Sequence, residues 1–148
     1  MSTISKYKET QLRLFKKESV SPVSKLVATN GVVKNVHYLE VGQGEPLILI
    51  HGGGGNTDQW VNMIKRLESH FKLFIVDRPG CGLTDAFNYR GIDLMEHCVA
   101  FITSFMQALN IPSADFAANS MGGYWTALFA MKHPEKVNKI VLLGAPAG

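Results

Sequence analysis

Four apolar runs punctuate the chain: Leu47 to Ile50, Leu73 to Val76, Phe116 to Ala118 and Ile140 to Leu143. Short continuous runs of this kind, bounded by turn residues, fit strands buried on both faces of a parallel sheet. Between them the apolar spacing changes to that of helices. Trp60, Met63, Ile64 and Leu67 follow at i, i+3, i+4 and i+7, which predicts one buried stripe. Ile92, Met95, Val99, Ile102, Met106 and Leu109 are spaced 3, 4, 3, 4, 3, the mark of an amphipathic helix. Glu96 and His97 lie off that stripe and are expected to face solvent. A third helix is expected over residues 121–132, and Pro134 prevents its continuation. Strand and helix alternate from residue 46 onward. That predicts an α/β fold, a mostly parallel sheet joined by right-handed crossovers, with helices on both faces.

The N-terminal third is patterned differently. Val23 to Ala28 and Val32 to Val41 flank Asn30-Gly31, a dipeptide suited to a tight hairpin turn. Two antiparallel strands are therefore expected at one side of the sheet, giving about six strands in all. Ahead of them, residues 1–20 form a basic arm, expected to be helical and solvated, and residues 21–148 form the main domain. The first 18 residues hold five basic side chains (Lys6, Lys8, Arg13, Lys16 and Lys17) against Glu9 and Glu18. The whole net charge of +3 thus sits in the arm, and the remainder is neutral. Ile4, Tyr7, Leu14 and Phe15 make only a weak apolar stripe there.

Composition narrows the class. With 148 residues, 46% hydrophobic and 18% charged, the chain is a globular domain large enough for a core. No apolar run approaches the ~18 residues of a membrane span. No apolar stretch of a secretory signal is visible at the start. Cys81 and Cys98 lack metal-ligand spacing and are expected to be free thiols in a reducing compartment. The expectation is a cytoplasmic protein with no metal, no organic cofactor, and no nucleic-acid or membrane partner.

The chemistry concentrates where predicted strands end. The first buried run ends in His51-Gly52-Gly53-Gly54-Gly55. Consecutive glycines cost backbone entropy, so they answer a need for conformation or close approach. No Gly-Lys-Ser/Thr follows, which disfavours a phosphate loop. The second run ends in Asp77-Arg78-Pro79-Gly80-Cys81-Gly82-Leu83-Thr84, a rigid turn in which Asp77 and Arg78 are expected to anchor loops. The third ends in Ala118-Asn119-Ser120-Met121-Gly122. A serine is a weak nucleophile unless it is lifted clear, near a base and near hydrogen-bond donors. A sharp strand-to-helix turn does this, and leaves the next amide free at a helix N-terminus.

These motifs together resemble the α/β-hydrolase fold family. Ala118 to Gly122 is similar to its nucleophile elbow, G-x-S-x-G, with alanine in place of the first glycine. The His51-Gly52-Gly53 loop resembles the loop that supplies the second oxyanion amide. The Asp77 segment resembles D-x-P-G-x-G-x-S, with Thr84 for serine. The resemblance runs over residues 23–148. It implies Ser120 as nucleophile and the amides of Met121 and Gly53 as the oxyanion hole, with Gly54 a close rival for the second amide. Gly52, Gly54 and Trp60 are expected near substrate, Trp60 as core or pocket wall. His51 is expected to be structural. The branch most resembled includes carbon–carbon bond hydrolases, esterases and proline iminopeptidases, which act on small molecules.

In that family a catalytic acid and then a histidine follow the serine. After Ser120 there are one acid, Glu135, and one histidine, His133, both in the turn beyond the elbow helix. Neither matches the family's positions, so the sequence reads as the N-terminal half of the fold, a truncated α/β-hydrolase. The alternative is a non-catalytic binding or assembly module. If the last strand has an open apolar edge, a homo-oligomer or a complementary fragment is expected to cover it.

Overall fold

The computed structural model describes residues 2–146. Its order is helix α1 (Thr3–Glu18), strands β1 (Val23–Ala28), β2 (Asn35–Val41) and β3 (Glu45–Ile50), then a 3-10 turn at Thr57–Trp60 leading into α2 (Val61–Leu67). Next come β4 (Phe71–Val76), α3 (Leu94–Ala108), β5 (Ala114–Asn119), α4 (Met121–Lys132) and β6 (Val137–Leu143). The strands form one sheet in the order β1-β2-β4-β3-β5-β6. The β1–β2 and β2–β4 pairs are antiparallel, and the others are parallel. β3 is flanked by β4 and β5 and runs parallel to both, so three strand ends carrying glycine or serine loops open at the carboxyl end of the sheet.

Side chains alternate between two cores, as the period of two in a strand requires. Ile48, Ile50, Phe74, Val76, Phe116 and Ala118 face α3 and α4. Leu47, Leu49, Leu73 and Ile75 face the other way, where α1, the 3-10 turn and α2 bring Phe15, Trp60 and Ile64. The helices therefore cover both faces, as the sequence pattern implies.

Several local features depart from expectation. Residues 29–34 form a six-residue connection in place of a two-residue turn, closed by Thr29 N donating to Lys34 O at 2.8 Å. Gly31 lies against Ser104, where a Cβ would collide with the side chain, so its glycine serves packing and not turn conformation. The sequence offers Thr57 as the N-cap of the next helix, but the capping side chain is that of Asn56, which accepts from Asp58 N at 2.9 Å. Thr57 is buried, and its amide is used elsewhere.

Helix α3 is rotated relative to the predicted stripe. It buries His97, Cys98, Phe101, Ile102, Phe105 and Met106, while Met95 is exposed. The aromatic rings supply more apolar area than Met95 or Val99 and set the inward face. His97 is consequently buried, against the expectation of solvent exposure.

Helix α1 is docked through a polar contact. Gln11 is buried and donates from Nε2 to Asp58 Oδ1 at 2.7 Å, and Tyr7 donates from its hydroxyl to Asp58 Oδ2 at 3.2 Å. Phe15 joins the α2 core, while Ile4 remains exposed.

Candidate active site

Ser120 sits between β5 and α4 with φ 48° and ψ −119°. That region is costly for a residue with a Cβ, on the order of 1–3 kcal/mol. The neighbouring elements hold it there. Its amide donates to Leu143 O at 2.8 Å, and its carbonyl accepts from Gly123 N at 2.8 Å and Tyr124 N at 3.2 Å. The turn is possible because α4 begins hard against β3. A Cβ on Gly122 would lie 2.5 Å from His51 O and 2.6 Å from Ile50 O. The two motifs are neighbours in space as well, since a Cβ on Gly52 would lie 3.2 Å from Ser120 Cβ.

The glycine loop is fixed by one carbonyl. Gly52 O accepts from His51 Nδ1 at 2.8 Å, from Arg78 Nη2 at 2.8 Å and from Gly55 N at 3.3 Å. No peptide bond is cis, so the N–H of Gly53 points opposite to that clamped carbonyl. Among the described residues, neither the Gly53 amide nor the Met121 amide donates to any protein group. The arrangement thus offers a ligand two backbone donors, one from each motif.

Histidine 51 is wholly buried. Its Nδ1 donates to Gly52 O while its Nε2 accepts from Arg78 N at 3.0 Å, which fixes the neutral tautomer. Burial lowers its pKa, outweighing the bond to Gly52 that raises it. With both nitrogens occupied, His51 has no free lone pair for a serine proton.

Asp77 is wholly buried beneath the same loops and accepts from Thr57 N at 2.7 Å, Leu83 N at 3.0 Å and His37 Nδ1 at 2.6 Å. Thr84 Oγ1 donates to Asp77 O at 2.8 Å and accepts from His37 N at 2.9 Å. This is a loop anchor. The role of His37 was not legible in the sequence, where it reads as one polar residue in an alternating strand.

A cleft of about 400 Å³ opens at this end of the sheet, lined by Gly53, Arg78, Tyr89, Leu94, Met121 and Trp125 among others. Of the residues expected near substrate, Gly53 and Gly54 are exposed, whereas Gly52 is buried with its carbonyl bonded three ways. Trp60 lies in the α1/α2 core and is not among the cleft-lining residues. The tryptophan of the cleft is Trp125. Its place is not legible in the sequence, because α4 is apolar around most of its circumference and no face stands out. Behind it Phe87, Tyr89 and His97 stack edge to face, with His97 5.3 Å from Trp125 between ring centroids.

The thiols are not activated. Burial raises the Cys81 pKa, and that of Cys98 is pushed up to about 12. The hydroxyl of Ser120 makes no hydrogen bond to any described residue. His133 and Glu135 pair at 3.3 Å beyond the far end of α4. Among the described residues no three His, Cys, Asp or Glu side chains are grouped as a metal would need. No described helix is long and apolar enough to cross a membrane.

Residues 45–148 match the family model described as the alpha/beta hydrolase fold. Curated relatives agree. The chain is 33% identical over 129 residues to a 2-hydroxy-6-oxononadienedioate/2-hydroxy-6-oxononatrienedioate hydrolase from Burkholderia vietnamiensis, covering 82% of this chain and 44% of the relative. It is 32% identical over 140 residues to a 2-hydroxy-6-oxo-6-phenylhexa-2,4-dienoate hydrolase from Burkholderia cepacia, covering 88% and 47%. Among solved structures, naproxen esterase from Bacillus subtilis superposes with a TM-score of 0.81 at 22% identity, over 95% of this chain and 49% of that one, a likeness of fold. The chain spans less than half the length of the curated relatives it matches.

Proposed function

The chain belongs to the α/β-hydrolase fold family, and from that premise we propose that it carries the nucleophile half of a serine hydrolase acting on an ester, amide or activated carbon–carbon bond. Ser120 attacks the carbonyl, an acyl-enzyme forms, and the amides of Met121 and Gly53 receive the developing negative charge. The observation that supports this most is the left-handed Ser120 beside two backbone donors without protein partners. Backbone strain of this kind clusters at functional sites. Gly53 is preferred over Gly54 as donor because its peptide plane is held by the clamp on Gly52 O. The relatives named as hydrolases of hydroxy-oxo-dienoates favour a carbon–carbon bond next to a ketone.

The mechanism also needs a base and an acid that orients it. His51 is committed to the loop, and the His133–Glu135 pair lies beyond the wrong end of α4. These two groups therefore come from residues outside the 148. A second reading, an assembly module, is favoured by β6, whose Ile140, Val141, Leu142 and Leu143 are exposed.

A fluorophosphonate probe with intact-mass readout tests the first reading. The expected result is one adduct on Ser120, absent in Ser120→Ala. A folded protein that takes no adduct would overturn it.

A further inference from the structure

Arg78 is an unusual resident of the cleft. It is 5% exposed and forms no ion pair with a carboxylate among the described residues. One nitrogen, Nη2, holds Gly52 O. Nε is buried with no hydrogen-bond partner. The guanidinium lies over the Trp125 ring, 4.8 Å from the centroid, and Arg78 lines the cleft with Gly53 and Met121. A ring face offers a cation some compensation, but it does not accept the N–H groups as a carboxylate does. Buried polar groups without partners are rare enough that each calls for a reason.

Asp77, the adjacent residue, does not supply the partner. Its two oxygens are taken by Thr57 N, Leu83 N and His37 Nδ1. Tyr89 donates its hydroxyl to Pro79 O at 2.9 Å and so presents no anion either. The cleft walls are otherwise apolar, with Leu94, Met121 and Trp125. A guanidinium in apolar walls, one peptide unit from the Gly53 amide, is a counter-charge without its anion.

We propose that Arg78 is a specificity residue that receives a carboxylate of the substrate, so that the cleft takes acyl compounds bearing a carboxylate a few bonds from the reacting carbonyl. The proposal rests on the reading of this cleft as the substrate site. It adds which substrates enter and which side chain selects them. Planar pairing with a carboxylate would fix the acyl chain along the cleft, with its carbonyl directed to Gly53 and Met121.

The test is equilibrium binding of monomethyl succinate, an anion, against dimethyl succinate, its neutral analogue, to the full chain. Tryptophan fluorescence follows it, because Trp125 lies against the guanidinium. The anion is expected to bind about tenfold tighter at low salt, the scale of one charge-assisted hydrogen bond, with the preference reduced in high salt. Arg78→Gln removes the preference, and Arg78→Lys keeps part of it. Equal binding of the two esters to the wild-type chain overturns the proposal, as does failure of both to bind. A preference that survives in Arg78→Gln also overturns it. Should a variant fail to fold, the wild-type comparison alone still decides. Adduct formation on Ser120 is read separately, so loss of the serine reading and loss of the charge preference are distinct results.

Discussion

The backbone amide of Arg78 donates to Nε2 of His51 at 3.0 Å, while the Arg78 guanidinium and the His51 imidazole both donate to the carbonyl of Gly52. Two loops from neighbouring strands are thereby locked to a third residue whose peptide unit includes the Gly53 amide. The histidine acts as a bracket. Its value to the site is the orientation it imposes, and that depends on its remaining neutral.

Acid should therefore loosen the protein. Burial holds His51 and His97 below the ordinary 6.5. In the unfolded chain both titrate near that value, so below it the unfolded state binds more protons than the folded one. The stability they contribute is complete above about pH 6.5 and falls as pH drops through the folded-state values. Midpoints of thermal unfolding between neutral and mildly acidic pH should decline. His97→Phe, which keeps an aromatic ring in the cluster, should give a shallower decline. An unchanged slope would remove His97 from the account.

Gly122→Ala should destabilise by about 1–3 kcal/mol. The added methyl meets the carbonyls of His51 and Ile50, and backbone cannot swing aside as a flexible side chain would. Urea unfolding measures the loss. Labelling of Ser120 should slow in parallel, because the same shift moves the elbow against the glycine loop.

Asp77→Ala should cost on the order of 3–5 kcal/mol, since it leaves three donors unpaired in a buried place. Those donors are Thr57 N, Leu83 N and His37 Nδ1. Asp77→Asn keeps the shape and should cost less. Equal losses in the two variants would mean that volume, not hydrogen bonding, decides the site.

The edge of β6 should associate at micromolar concentration. Val141 is 55% exposed on a strand with one paired side. Sedimentation velocity is expected to show species larger than 16.3 kDa. Val141→Lys should shift them toward monomer, because a lysine blunts an edge for pairing. A monomeric wild-type chain would sink the assembly reading.

The sheet was legible because its inner strands are apolar on both faces and end in glycine, proline or serine. Leu47 to Ile50 could hardly be anything else. What escaped were positions where a neighbour sets the outcome. Asn30-Gly31 has the composition of a tight turn, but Gly31 is claimed by Ser104 across the fold. The apolar spacing through Ile92 and Met95 turns His97 toward solvent, whereas Phe101 and Phe105 fix the inward face of α3 and bury it. Gln11 is buried by a bond to Asp58, and no hydrophobic pattern announces a polar anchor. Of the two places expected for Trp60, core or pocket wall, the structure shows the core, and the cleft is lined instead by Trp125, which the sequence does not single out. Trp60 stands on a clear stripe that leads to the core, while Trp125 belongs to a helix with no evident stripe.

The positive φ of Ser120 sets two selective pressures against each other at a single codon. Folding alone would favour glycine there, which adopts that backbone freely. On the proposed reading, selection for the hydroxyl opposes that preference. A lineage freed from it should drift to glycine and gain thermal tolerance, so the residue at this position gauges whether the proposed use of the serine is kept.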